Sequence, residues 1–170
     1  MTGSDTTSRA AAGQPPASHA TLVLAESFPA APESVFAALY EVMHRRQTRV
    51  SPGQATVVVE AADFRVGGSE RLRIDAPATG PLSAVRSYHE IAPGARIVAT
   101  DVMSAGGTTV AVAMTTIELE GHAAHSRLKV TIQLTALDDS DRGDAPRLVF
   151  EAVLEELRDR LGAPKRTRRR

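Results

Sequence analysis

The sequence predicts an α+β fold, an antiparallel sheet of about seven strands covered by one long C-terminal helix, in the order β-α-β6-α. Three observations carry this. From Ala55 to Ala136 the chain is rich in Val, Ile and Thr and is interrupted only by short turn signals, as in successive antiparallel strands. In the last of these segments Leu128, Val130, Ile132 and Leu134 alternate with Lys129, Thr131, Gln133 and Thr135, so one face is buried and the other solvated. Phe150, Val153, Leu154, Leu157 and Leu161 then recur at helical spacing, an apolar stripe of the kind a sheet's buried face requires as cover.

The elements follow in order. Residues 1–18 are rich in Ser, Thr, Ala, Gly and Pro with few large apolar residues, which predicts a disordered segment. The domain is expected over 19–163. Residues 21–28 read as the first strand, and Pro32 suits the first turn of a helix, where its missing N–H costs nothing. Val35, Phe36, Leu39, Val42 and Met43 give that helix its apolar face. Residues 44–49 are polar, and Ser51-Pro-Gly breaks the chain. Six strands follow, at about 55–63, 68–75, 83–91, 95–103, 108–120 and 125–136. Asp144 is a good N-cap for the last helix, with Pro146 in its first turn; Glu156 and Arg160 form a favourable i, i+4 pair, and Gly162 and Pro164 end it. Residues 164–170 form a basic tail.

Composition excludes several function classes. The chain has 170 residues and no cysteine, so disulfides, thiol nucleophiles and Cys-ligated metals are ruled out. Net charge is zero, but the basic tail carries +5 (Lys165, Arg166, Arg168, Arg169, Arg170), which leaves 0 − 5 = −5 on the rest. A mildly acidic body with no aromatic interleaving in the tail predicts no specific nucleic-acid partner. No apolar run reaches the length of a membrane span, and residues 1–18 lack the apolar stretch of a secretory signal, so the expected location is cytoplasmic. Only His122 and His125 lie close together among the five histidines, too few ligands to predict a metal centre. There is no P-loop, dinucleotide fingerprint or nucleophile elbow, and no cofactor is predicted.

The most informative segment is Asp63-Phe-Arg-Val-Gly-Gly-Ser-Glu-Arg-Leu-Arg-Ile74. Gly67 and Gly68 permit a turn or bulge closed to other residues. After them Glu70, Leu72 and Ile74 share one strand face, with Ser69, Arg71 and Arg73 on the other. A strand, a Pro-Gly turn and a strand follow in Tyr88-His-Glu-Ile-Ala-Pro-Gly-Ala-Arg-Ile-Val-Ala-Thr100. Together these residues resemble the Asp-Phe-Arg-x-Gly-Gly and Tyr-x-Glu-Ile-x-Pro-x-x-Arg-Ile-Val-x-Thr pattern of the AHSA1-like family (activator of Hsp90 ATPase homologue 1-like) of the START-like, or SRPBCC, superfamily. The resemblance covers about 20–161 and implies a helix-grip (START-like/Bet v 1-like) fold, with a strongly curved sheet and an apolar cavity under the last helix. Three family features are missing. The Trp-rich stretch after the first helix is replaced by Arg46-Gln-Thr-Arg-Val-Ser-Pro52, the aromatic two residues after the Gly pair by Glu70, and a Gly-Trp pair near the last helix by Asp144-Ala-Pro-Arg147.

Binding of a small hydrophobic molecule (lipid, polyketide-like or aromatic) in that cavity is the expected function. The candidate lining is Glu70, Leu72, Ile74, Ile117, Leu119, Val130, Ile132, Phe150 and Leu154. Glu70 stands out. It is either a polar anchor or general base facing the cavity, or a rim residue paired with a nearby Arg or turned outward by the Gly-Gly bulge; the sequence favours the second. Arg65 is expected to stabilise the turn, Arg71 and Arg73 to face solvent, and Met114 to sit in the core. The resemblance also implies an alternative, a chaperone-associated interaction protein acting on Hsp90 through an exposed surface. A further alternative is a cyclase or hydrolase in the same cavity, which would need convergent polar groups. Glu70 with either Tyr88 or His89 is the sequence's offer, since those two point to opposite faces. No catalytic residue is assigned, and strand edges leave a homodimer open.

Overall fold

The computed structural model describes residues 16–44, 47–50, 55–76, 80–138 and 144–163. The first fifteen residues of the N-terminal segment and the basic tail at 164–170 lie outside the described residues. The order is β1 (Ser18–Phe28), α1 (Pro32–Met43), β2 (Gln47–Val50), β3 (Ala55–Ala62), β4 (Ser69–Ala76), β5 (Gly80–Ala92), β6 (Arg96–Ala105), β7 (Thr108–His122), β8 (His125–Ala136) and α2 (Asp144–Leu161).

All strands join one antiparallel sheet in the spatial order β1-β8-β7-β6-β5-β4-β3-β2. Among the described residues it has eight strands, the seven expected and a short edge strand, β2, from the polar stretch after α1. That segment has no apolar alternation to announce it; pairing with β3 supplies its backbone partners. From β2 to β8 each strand pairs with the next in the chain. The exception is β1, which crosses to pair with β8 over its whole length. Register shifts in β3, β5 and β6–β7 interrupt the ladders, and such bulges add the bend that lets a sheet wrap a helix.

Turn chemistry matches the breaks in the sequence. Gly106 and Gly107 both adopt positive φ in the two-residue link from β6 to β7, the conformation that suits a tight hairpin. The Gly67-Gly68 turn is more constrained. Gly67 has φ of 77°, and its N–H donates to the Tyr88 carbonyl at 2.9 Å. A Cβ on Gly68 would lie 2.2 Å from the Asp63 carbonyl oxygen. Arg65 holds the same turn from outside through the Asp63 carboxylate.

The core lies between the sheet and the two helices. Val35, Leu39 and Val42 of α1 and Phe150, Val153, Leu154 and Leu157 of α2 are buried. Arg158 of α2 is paired with Glu26 of β1, and Arg160 with both Glu41 of α1 and Glu156, so α2 is pinned along its last two turns. Ala163 N–H closes the helix end onto the Arg158 carbonyl. Arg71 and Arg73 are exposed, and Arg73 meets Asp75 and, across the strand pair, Glu60. Met114 departs from expectation. It is 42% exposed on the outer face, because Ala113 and Thr115 occupy the inward positions of β7.

Candidate functional site

Three charged side chains form a row across the helix-facing side of the sheet. Glu70 on β4 stands directly opposite Arg86 on β5, and Arg86 directly opposite Asp101 on β6. Residues in register share a face and touch. All three are buried, Glu70 to 1% exposure. Glu70 is therefore neither at a rim nor turned outward: the Gly-Gly turn ends before Ser69, and strand parity then carries Glu70 inward with Leu72 and Ile74.

The row is tightly bonded at one end. Arg86 donates from Nε to Asp101 Oδ1 at 2.8 Å and from Nη2 to Oδ2 at 3.3 Å. Thr115 on β7 adds a hydroxyl donor to Oδ2 at 3.1 Å. Burial works against the charged guanidinium, yet the Asp101 carboxylate outweighs it and holds Arg86 above its ordinary range. From α2, the Phe150 ring lies 5.9 Å from the guanidinium carbon, so an aromatic face covers the cation.

At the other end Glu70 meets His44, the residue that ends α1. His44 Nδ1 lies 2.7 Å from the Tyr40 carbonyl, an acceptor, so this nitrogen carries a proton. Its Nε2 lies 2.5 Å from Glu70 Oε1, which requires a proton between them. Burial pushes the Glu70 carboxyl up, but the hydrogen bonding and charge of His44, together with Tyr88 and Arg86, hold it below its usual value. The contact thus joins the ring of His44 directly to the Glu70 carboxyl group. The Tyr88 hydroxyl sits 3.5 Å from His44 Nε2. Burial, with the Glu70 carboxylate beside it, raises Tyr88 far above the ordinary phenol range, so the phenol stays protonated. Phe64, from the Asp-Phe-Arg segment, wedges edge-on between His44 and Tyr88 with ring centroids 4.7 and 4.9 Å away.

Two adjoining cavities lie over this row beneath α2, each of about 40 Å³. One is bounded by Glu70 and Arg86 with Val42, Met43, Leu72 and Val153. The other is bounded by Arg86, Asp101 and Thr115 with Ile74, Met103 and Ile132. Val57, Leu72, Arg86, Val149 and Phe150 border both. Of the candidate lining, Glu70, Leu72, Ile74, Ile132 and Phe150 stand at these cavities. Ile117, Leu119, Val130 and Leu154 are buried in the surrounding core and line neither. His89 points outward and bonds Thr100, whereas Tyr88 faces in. Arg86, Asp101, Thr115 and His44 were not among the candidates. The first three carry a legible signal, a polar residue on the apolar parity of its strand (Leu82, Ala84, Arg86, Tyr88 on β5; Ile97, Ala99, Asp101, Met103 on β6). His44 carries none.

His122 and His125 face each other across the β7–β8 turn and are exposed. Among the described residues no group of three or more His, Asp or Glu side chains is placed to hold a metal ion. No described helix is long and apolar enough to cross a membrane.

Comparison with known proteins agrees with this architecture. A protein from Rhizobium loti is 25% identical, with a TM-score of 0.69 over 86% of this chain and 99% of its own. One from Rhizobium leguminosarum is 24% identical, with a TM-score of 0.66 over 88% and 98%. Ara h 8.0201, at 10% identity, shares the fold alone, with a TM-score of 0.64 over 86% and 100%. No curated protein matches the sequence. The family model for activator of Hsp90 ATPase homolog 1-like protein matches residues 29–162, most of the chain. The chain belongs to that family, and its helix-grip architecture is that of the START-like/Bet v 1-like proteins.

Proposed function

We propose that the protein binds a small, largely apolar molecule with one polar end in the space between the sheet and α2, where Glu70 and Arg86 orient the polar end. The observation that supports this is the buried charged row itself. A helix-covered sheet folds as well with apolar residues there, and replacing a buried ion pair by well-packed apolar side chains is often neutral or stabilising. A row of three charges at the border of an apolar cavity has the pattern of a binding site, with apolar walls and a few placed polar groups. Leu72, Ile74, Ile132 and Phe150 supply walls in this reading. Ile117, Leu119, Val130 and Leu154 act as core.

Size narrows the ligand. The two cavities, at about 40 Å³ each, fall well below the roughly 300–1,000 Å³ of drug-sized sites. The reading accordingly moves from lipids and polyketide-like molecules to compounds of a few heavy atoms. Native mass spectrometry of protein taken from its host, with a thermal-shift screen of small amphiphiles, tests this. A stoichiometric small adduct, or stabilisation that an Arg86→Met/Asp101→Leu double variant abolishes, is expected. A clean apo mass with no shift across the screen would sink the reading and turn attention to a pull-down with Hsp90.

One observation favours a second reading, an enzyme acting in the same space. His44, Glu70 and the Tyr88 hydroxyl meet at one end of the row, as proton-transfer chemistry requires. Recovery of a chemically altered compound from the incubated protein would select it over simple binding.

A further inference from the structure

We infer that the outer face of the sheet is an interface with a second copy of this chain, the two sheets packed face to face about a two-fold axis. This face lies on the side of the sheet opposite the cavity, so the inference does not depend on the binding reading.

Apolar exposure points to it first. Val85 on β5 stands opposite Val102 on β6, and Val102 opposite Val112 on β7, so the three form one row across the sheet. Each is at least 39% exposed, as are Met114, the next outward position on β7, and Val23 on β1. Val23 belongs to the same face, two strands from β7 through Thr131 and Thr116. A sheet with one solvated face ordinarily turns polar side chains to water and apolar ones to the core. Here large apolar side chains stand on both faces, and both helices cover only the inner one.

The charge pattern says what kind of partner fits. Strands β5 to β8 and β1 are described along their whole lengths, so the side chains they present can be counted. The outward positions between Ser83 and Ser87, Thr100 and Ser104, Val112 and Thr116, Thr131 and Thr135, and His19 and Val23 carry no Asp, Glu, Lys or Arg. Further along the same strands charges return, but in pairs, Glu90 with Arg96 and Glu118 with Lys129. On β4, Arg71 bounds the valine row beside Val85. In a two-fold contact one patch meets itself, so a charged patch repels its copy and an uncharged patch does not. The chain's net charge of zero removes the long-range repulsion that keeps copies apart.

Area is sufficient. With strands about 4.8 Å apart and outward positions about 6.8 Å apart, three uncharged rows over these five adjacent strands span roughly 500 Å². One polar row on either side brings the face to roughly 800 Å² per copy, the size of a standard stable interface with an uncharged centre and a polar rim.

Sedimentation of the full chain at pH 7, from micromolar to half-millimolar concentration, tests this. A monomer–dimer equilibrium is expected. Val102→Lys/Met114→Lys puts two cations from each copy at the centre of the face and is expected to raise the dimer dissociation constant at least about tenfold. Glu151→Lys, on the exposed side of α2, changes the net charge equally and is expected to leave the equilibrium where it was. If the double-lysine protein does not fold, amide and methyl shifts of the unaltered chain decide. Between dilute and concentrated samples they are expected to change at Val85, Val102, Val112 and Met114. A monomer at every concentration overturns the inference. So does a dimer that the double-lysine variant forms equally well, or one whose shift changes fall away from these four residues.

Discussion

Asp101 shows how much rests on single side chains. Its two oxygens take donors from Arg86 and Thr115, and its removal leaves a buried guanidinium without its hydrogen-bonded partner. Asp101→Ala should therefore cost about 3–5 kcal/mol, the range for breaking a buried pair from one side. The double variant Arg86→Met/Asp101→Leu should recover most of that loss. Urea denaturation of the protein and these two variants measures both. A cost below about 1 kcal/mol for Asp101→Ala would mean that water reaches Arg86 and that the row is not sealed. A stable double variant that no longer binds would separate the row's contribution to function from any contribution to folding.

At the scale of elements, the β3–β4 turn does more than reverse the chain. Its glycines bond to Tyr88 on β5 in both directions, Gly67 N–H to the Tyr88 carbonyl and Tyr88 N–H to the Gly68 carbonyl. The turn thereby extends the sheet and sets the register that places Glu70 against Arg86. The same turn delivers Phe64 to the ring cluster around His44. Gly68→Ala would put a methyl group against the Asp63 backbone carbonyl, a contact that cannot be relieved by a side-chain rotation. We expect a loss of roughly 1–3 kcal/mol, of the size of other overpacking strains, together with altered amide shifts at Glu70 and Tyr88. Unchanged stability would show that the turn relaxes freely and does not hold the register.

For the whole molecule, the consequence to measure is stability against pH. The folded state holds Glu70 below its ordinary value of 4.5. A carboxylate depressed on folding adds stability that is fully present above its unfolded value and is lost as pH falls through its lower folded value. The stability difference between the protein and Glu70→Gln should therefore be flat above about pH 5 and shrink as the solution is acidified below that. Parallel stability curves for the two proteins down to pH 3 would show that Glu70 is not ionised in the fold. Cohesion at this scale also depends on pairs that tie α2 back to the start of the chain, Arg158 to Glu26 and Arg160 to Glu41.

The amino-acid sequence by itself determined the order of every element but β2, the ends of the other strands to within three residues, the two helices with their apolar faces, and the family. Each of these follows from local periodicity and turn chemistry, which a linear chain displays directly. Strand parity placed Glu70, Leu72 and Ile74 on one face, and the same rule applied to β5 and β6 would have placed Arg86 and Asp101 with them. Only the tertiary structure decided that these residues form one row, because register between strands depends on bulges and turns whose geometry the sequence does not spell out. It also decided that β2 pairs at all, that Met114 faces solvent, and that His44, at a helix end with no periodicity of its own, closes on Glu70. Contacts between residues far apart in the chain arise from packing, and packing is a property of the folded whole.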